Sequence, residues 1–317
     1  MRFYFYCLIL NIVLVVYNQA RADVDVKKQL IIPINEWSSQ RVLSHVFGNL
    51  VKNKGIAVSY QAINVDDQWG ALQRGVVHVQ LEVWQPSMAK VFEPLVNSNK
   101  VLDMGAHHAE VREEWWYPEH VQQLCPDLPS WQALNQCASI FAKHSSNGKG
   151  VYFAGPWDYG DAELIRSLGL NFIIKRDPSD EFLWHRLEQA LASEMPIVML
   201  NWTPNWTDVR VKGHFIDFPH GQTKCSGDEV GTAQQACTKS RRGWLKKAAW
   251  PGLKSQWPCA YQILKHLQFT NEMIAEAAAL LAVDGYTQEQ AAIVWQEKYA
   301  TEYQQWQSIK CSNLRVP

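Results

Sequence analysis

Twice along this chain the residues run strand, helix, strand, helix, strand, and each run ends on a Trp-Xaa-Pro phrase. In the first run Gln29–Ile34 reads as a strand and Ser38–Lys54 as a helix, with Val42, His45, Val46, Asn49 and Leu50 along one side. Ser38 is placed to cap that helix and Gly55 to stop it. Ile56–Ile63 alternates as a second strand, Asp67–Arg74 is a short helix ending at Gly75, and Val76–Val83 runs straight into Trp84-Gln85-Pro86. The second run is Gly150–Ala154, Asp158–Leu168, Leu170–Lys175, Ser179–Glu194 behind the Asp177-Pro178 breaker, and Pro196–Leu200 leading into Trp202-Thr203-Pro204. Strands alternating with helices imply an α/β fold, each half an open, mainly parallel sheet flanked by helices. In such sheets ligands sit outside the carboxyl ends of the strands. Trp84 and Trp202 fall there.

Tryptophan is abundant, 15 in 317 residues, and three of the phrases (Asn35-Glu36-Trp37, Val83-Trp84-Gln85 and Asn201-Trp202-Thr203) end or adjoin apolar runs. Indoles converging on one cleft give electron-rich walls, which suit a cation with no hydrogen-bond donors, such as a methylated ammonium. A single Trp is as readily core packing. That reading is preferred for Trp244, Trp250, Trp257, Trp295 and Trp306 in the helical tail, and for Trp69, Trp131 and Trp184.

The first 22 residues read as an export signal: Arg2, an apolar core from Cys7 to Val16, and the small-x-small site Ala20-Arg21-Ala22. The apolar run is too short to span a bilayer. An exported chain meets an oxidising compartment, and six cysteines remain after the signal. Cys125 with Cys137 and Cys225 with Cys237 share a short, turn-rich spacing and are expected to bridge, each worth roughly 3 kcal/mol by loop entropy. Cys259 with Cys311 is an open third pairing. With 30 basic and 31 acidic side chains and no basic block, neither nucleic acid nor an anionic membrane surface is an expected partner. No paired Cys/His spacing points to a metal, and His107-His108 read as a solvated loop pair. Phe215–Phe218 looks like a return strand, Gly221–Arg242 a polar loop, and the remainder helical: Pro258–Gln268, Asn271–Val283 and Thr287–Tyr299.

Taken in order, the phrases Trp37-Ser38-Ser39-Gln40, Glu82-Val83-Trp84-Gln85-Pro86, Gly155-Pro156-Trp157-Asp158-Tyr159-Gly160-Asp161 and Asn201-Trp202-Thr203-Pro204-Asn205-Trp206 carry a resemblance. The tail adds Gly243 to Trp250, Trp257-Pro258, Asp284-Gly285 and Ala292 to Trp295. From about Leu30 to Trp306 the chain resembles the extracytoplasmic substrate-binding proteins of ABC importers for glycine betaine, choline and related quaternary ammonium compounds. The resemblance implies a periplasmic-binding-protein-like fold of type II, two lobes crossed twice by the chain, near Arg112–His120 and Lys212–Pro219. Residues 23–115 and 216–317 would form one lobe and 116–215 the other. It implies a periplasmic monomer that closes over a small ligand and delivers it to a membrane permease, with no enzymatic activity, cofactor or metal. ATP hydrolysis would belong to a separate subunit, consistent with the missing phosphate loop.

By position Trp37, Trp84 and Trp202 are the wall residues, with a fourth ring from Trp115-Trp116-Tyr117, Trp116 ahead of Trp115. The segment leading the helix after Gly155 offers backbone N–H groups to a ligand oxygen, and Trp157 and Tyr159 further ring or hydroxyl contacts. Asp158 joins that set, or merely caps the helix. Choline-type relatives carry an acid two positions after the first Trp, where this chain has Ser39. Glu82 or Glu114 could replace that charge. Against an exported hydrolase, no G-x-S-x-G elbow or H-E-x-x-H helix is present. A Trp-lined carbohydrate binder and a solute sensor on the same fold are the other readings.

Overall fold

The computed structural model describes residues 28–219 and 241–311. The expected export signal and the expected Cys225–Cys237 bridge lie outside the described residues. The elements in order are β1 (Leu30–Ile34), α1 (Ser38–Lys52), β2 (Val58–Ala62), α2 (Gln68–Arg74), β3 (Val79–Trp84), α3 (Gln85–Asn97), β4 (Leu102–Pro118), α4 (Trp131–Gln136), β5 (Gly150–Ala154) and α5 (Asp161–Leu168). There follow β6 (Phe172–Arg176), α6 (Asp180–Ala192), β7 (Val198–Thr203), α7 (Thr207–Arg210), β8 (Gly213–Phe215), β9 (Arg242–Ala249), α8 (Leu253–Gln256), α9 (Pro258–His266), α10 (Asn271–Ala282), α11 (Gln288–Lys298) and α12 (Ala300–Gln307).

The parallel pairs are those the strand–helix alternation demands: β1 with β2, and β5 with both β6 and β7. Antiparallel pairs join the halves. β4 is seventeen residues long and changes partner as it goes. Leu102 to Arg112 lie against β9, while Arg112 to Trp116 lie against β7. Arg112 touches both, opposite Arg242 on one side and Thr203 on the other, so the strand changes partner there. β8 closes on the far end, Trp116 facing Phe215. β9 follows the expected polar loop and carries Trp244, so the start of the tail is a strand rather than part of the expected helical stretch.

The buried apolar side chains of both halves join in one continuous interior. α1 packs on β1 and α10 and buries Val42, His45, Val46 and Leu50 of the expected stripe; Leu43 and Phe47 are buried as well, while the fifth expected member, Asn49, is only half-buried. Its cap is not Ser38 but Trp37, which makes no side-chain capping bond. The tail tryptophans pack as expected: Trp295 is fully buried, donates to the Met273 carbonyl at 2.7 Å and lies near Trp306. His107 is a correction. It sits inside β4 rather than in a loop, bonded to the Leu81 carbonyl at 2.8 Å and accepting from the Phe269 N–H at 3.1 Å. Burial first, and buried Lys247 nearby, push it down to about 3, so it is a neutral strut between strand and tail. Disulfides join Cys125 to Cys137, as expected, and Cys259 to Cys311, which fastens the end of the described chain to α9.

Gly213 leaves room for Trp116: a Cβ there would overlap the edge of the indole and crowd the Tyr117 carbonyl oxygen. Gly213→Ala is therefore expected to lower stability by about 1–3 kcal/mol through overpacking. Denaturant melts of the two proteins, read by tryptophan fluorescence, check this; an unchanged midpoint would mean the ring moves freely aside.

Candidate functional site: a tryptophan-walled cleft between the halves

A cleft of about 640 Å³ lies where strand ends of the two halves face each other, and Trp37, Trp84, Trp157 and Trp202 all line it. The first two come from one half and the last two from the other. Trp37 stands at the turn from β1 into α1, set by Gln40, whose side chain accepts from the Asn35 N–H and donates to the Pro33 carbonyl, each at 2.9 Å. Trp84 ends β3 and caps α3 without an intervening loop, with a proline opening the helix. Trp202 is the penultimate residue of β7, its ring 5.6 Å from Trp157 at a right angle. Trp157 depends on Gly155, where a Cβ would stand 2.7 Å from the indole.

The two indoles of the first half are held by one atom. Glu82 Oε2 accepts from Trp37 Nε1 at 2.6 Å, Trp84 Nε1 at 3.1 Å and the Ser39 hydroxyl at 3.0 Å. Three donors favour the carboxylate, but full burial costs more, and the group is pushed up to about 7. Ser39 thus serves the acid on β3, and Glu82 supplies a negative charge behind the rings, without itself lining the cleft.

Glu113 does line it. One oxygen accepts from the Tyr159 hydroxyl at 2.7 Å and the Ser87 hydroxyl at 3.1 Å, so it takes a donor from each half. Its other oxygen has no protein partner among the described residues. Burial again dominates and raises it to about 7. Glu36 adds a third carboxyl, raised by burial and with one oxygen unpartnered among the described residues. Asp66 and Asp158 complete an acidic lining, and among the described residues of that lining there is no lysine, arginine or histidine.

Asp158 does not cap α5. It pairs with Arg176 at 3.0 Å and accepts from the Gly160 N–H at 3.1 Å, at the cleft's rim. Trp116 is corrected: it does not line the cleft, and neither does Trp115, which stacks on Tyr152 at 3.8 Å. Strands rise about 3.3 Å per residue, so Trp116 lies about 10 Å deeper along β4 than Glu113. Glu114 also points away, to Arg241 at 3.3 Å. Sequence reading missed Glu113 and Trp69, both of which line the cleft. The missed signal at Glu113-Glu114 is strand alternation: adjacent residues face opposite ways, so only one could be in the cleft.

Comparisons with known proteins show the family. Residues 28–298 match the family model OpuAC, the substrate binding domain of ABC-type glycine betaine transport systems. The chain belongs to that family. It is 35% identical over 283 residues to the trimethylamine N-oxide-binding protein of Pelagibacter ubique (strain HTCC1062), 86% of this chain and 88% of that one. Its fold matches lactococcal OpuAC in its closed form with glycine betaine, with a TM-score of 0.66 at 16% identity over 88% of this chain and 99% of that one. It matches an ABC-transporter choline binding protein in complex with choline, with a TM-score of 0.67 at 16% identity over 89% and 93%. The fold is that of type II periplasmic binding proteins, and the family's members are solute-binding proteins rather than enzymes. No helix among the described residues is long and apolar enough to cross a membrane.

Glu82, Glu113 and Glu114 are each raised from 4.5 to about 7, so the folded state holds protons that the unfolded state has released. Their contribution is full below about pH 4.5 and is lost as pH rises through about 7. The ligand-free protein is expected to melt at a higher temperature at pH 5.5 than at pH 8. Glu82→Gln should flatten that slope; scanning calorimetry across the range checks both, and equal slopes in the two proteins would remove Glu82 from the account.

Proposed function

We propose that the chain is an exported solute-binding protein that captures a methylated ammonium compound between Trp37, Trp84, Trp157 and Trp202 and hands it to an ABC permease. The observation that carries this reading is the pairing of two indoles from each half around an acidic cleft. A methylated ammonium cannot donate N–H bonds, so ring faces and dispersion must hold it, at about 0.5–2 kcal/mol per face. Four faces supply about 2–8 kcal/mol before ordering costs. Micromolar binding needs about 8 kcal/mol net, so contacts to the ligand's other pole must add to the rings.

The acidic lining favours a ligand with no carboxylate of its own. Trimethylamine N-oxide and choline fit better on this ground than glycine betaine, whose carboxylate would meet Glu113. The 35% identity to a trimethylamine N-oxide-binding protein points the same way. Removal of residues 1–22 on export, a periplasmic location, a monomeric state and a division into residues 23–115 with 216–317 and 116–215 complete the proposal. The change of partner along β4 at Arg112 supports that division.

Calorimetric titration of the mature protein with trimethylamine N-oxide, choline, glycine betaine and glucose tests the reading. Saturable binding of a methylated ammonium is expected, weakened at least tenfold by Trp84→Ala or Trp202→Ala. Choline should bind more tightly at pH 8 than at pH 5.5. Glu113 loses its proton through about pH 7, and its anion attracts a cation whose charge does not titrate. Binding of glucose alone would overturn the proposal in favour of a carbohydrate binder.

A further inference from the structure

One carboxylate outside the cleft joins its two sides. Asp180 opens α6 in one half, and its Oδ2 accepts from the hydroxyl of Ser38, which opens α1 in the other, at 3.4 Å. The same oxygen accepts from Trp184 Nε1, also at 3.4 Å, and Asp180 is 1% exposed. Ser38 follows Trp37 directly, and the Trp184 ring lies 5.0 Å from Trp202. Asp180 therefore touches the supports of one wall indole in each half without lining the cleft itself.

Both contacts are long for hydrogen bonds, so neither fixes the halves by its own strength. The electrostatics are more telling. α1 has fifteen residues and α6 thirteen, and their first residues, Ser38 and Asp180, meet. Helix starts carry partial positive charge, and bringing two together is unfavourable unless an anion lies between them. Asp180 is that anion. Its oxygens are satisfied by the Glu181 N–H at 2.9 Å within α6 and by Ser38 across the gap. The nearby pair Arg41–Glu181, at 3.5 Å with Glu181 largely exposed, crosses the same gap but is too solvated to hold it.

We infer that Asp180, through Ser38 and Trp184, is the positioning residue that holds the two halves closed around an occupied cleft. This inference rests on the reading of the cleft as a ligand site. Such a group acts late, once the halves have met. Losing it should speed ligand escape and leave capture unchanged.

Stopped-flow tryptophan fluorescence of the mature protein with trimethylamine N-oxide tests this on wild type, Asp180→Asn, Ser38→Ala and the double variant. Asp180→Asn keeps the shape and removes the charge; Ser38→Ala keeps the test open should the first variant fold poorly. About tenfold faster dissociation is expected for Asp180→Asn and a smaller increase for Ser38→Ala. Association should stay within about twofold, and the double variant should be no worse than Asp180→Asn. Unchanged dissociation, slowed association or additive effects would overturn the inference. If wild type responds to neither trimethylamine N-oxide nor choline nor glycine betaine, the ligand reading fails. The latch is then read by small-angle scattering of the ligand-free proteins: a larger radius of gyration in Asp180→Asn than in wild type upholds it, and equal radii overturn it.

Discussion

The site depends on the placement of one buried oxygen. Glu82 Oε2 gathers the edges of Trp37 and Trp84 and the hydroxyl of Ser39. An indole has a single donor, and a buried one needs an acceptor. Fixing both edges on one atom ties the two rings to a common point, and both line the cleft. A carboxylate suits three donors better than an amide, whose own N–H₂ would need partners in the same buried space. An anion at the ring edges also strengthens the field a bound cation feels across the faces. The cost is the burial of a charge, visible in the rise of Glu82 to about 7.

The second constraint is β4. Because a strand alternates, Glu113 and Glu114 divide their work. Glu113 faces the cleft and takes Tyr159 from one half and Ser87 from the other. Glu114 faces Arg241, which also reaches Asp161 at 2.9 Å and the Tyr159 carbonyl at 3.2 Å. Arg241 leads into β9, and its carbonyl accepts from the Glu113 N–H at 2.9 Å. β4 and the lead into β9 are therefore tied to the loop that carries Trp157 and Tyr159. That wall is braced through Glu113 and Arg241, while the Trp202 wall is built on β7 and packs on Trp184.

Sequence alone revealed the two strand–helix runs, because their apolar periodicities and glycine or proline stops are local. It also identified three strand-end indoles and Trp157, because strand ends fix where a side chain emerges. It did not reveal β4 and β9. β9 carries Arg242, Lys246 and Lys247, and β4 mixes glycine, histidine and acids, so neither has the regular alternation that marks a half-buried strand. Without β4 there was no register to tell Glu113 from Glu114, or to show that Trp116 lies three residues beyond the cleft. Trp69 was read as packing. It is 6% exposed and touches Phe92, yet it also meets the cleft, so that reading was incomplete rather than misplaced.

Ring walls alone do not separate one methylated ammonium from another, since each presents the same methyl surface. Discrimination has to come from what lines the rest of the cleft, and here that lining is acidic. A carboxylate-bearing ligand would bring a second anion beside Glu113, which could be accommodated only by keeping a proton there. A cation carries no such requirement, and the single oxide oxygen of an amine N-oxide could accept from Glu113 in its protonated form. Burial raises Glu113 into the range where it can exist in either form near neutral pH. The burial that raises Glu113 thus bears directly on which charges the cleft can take in.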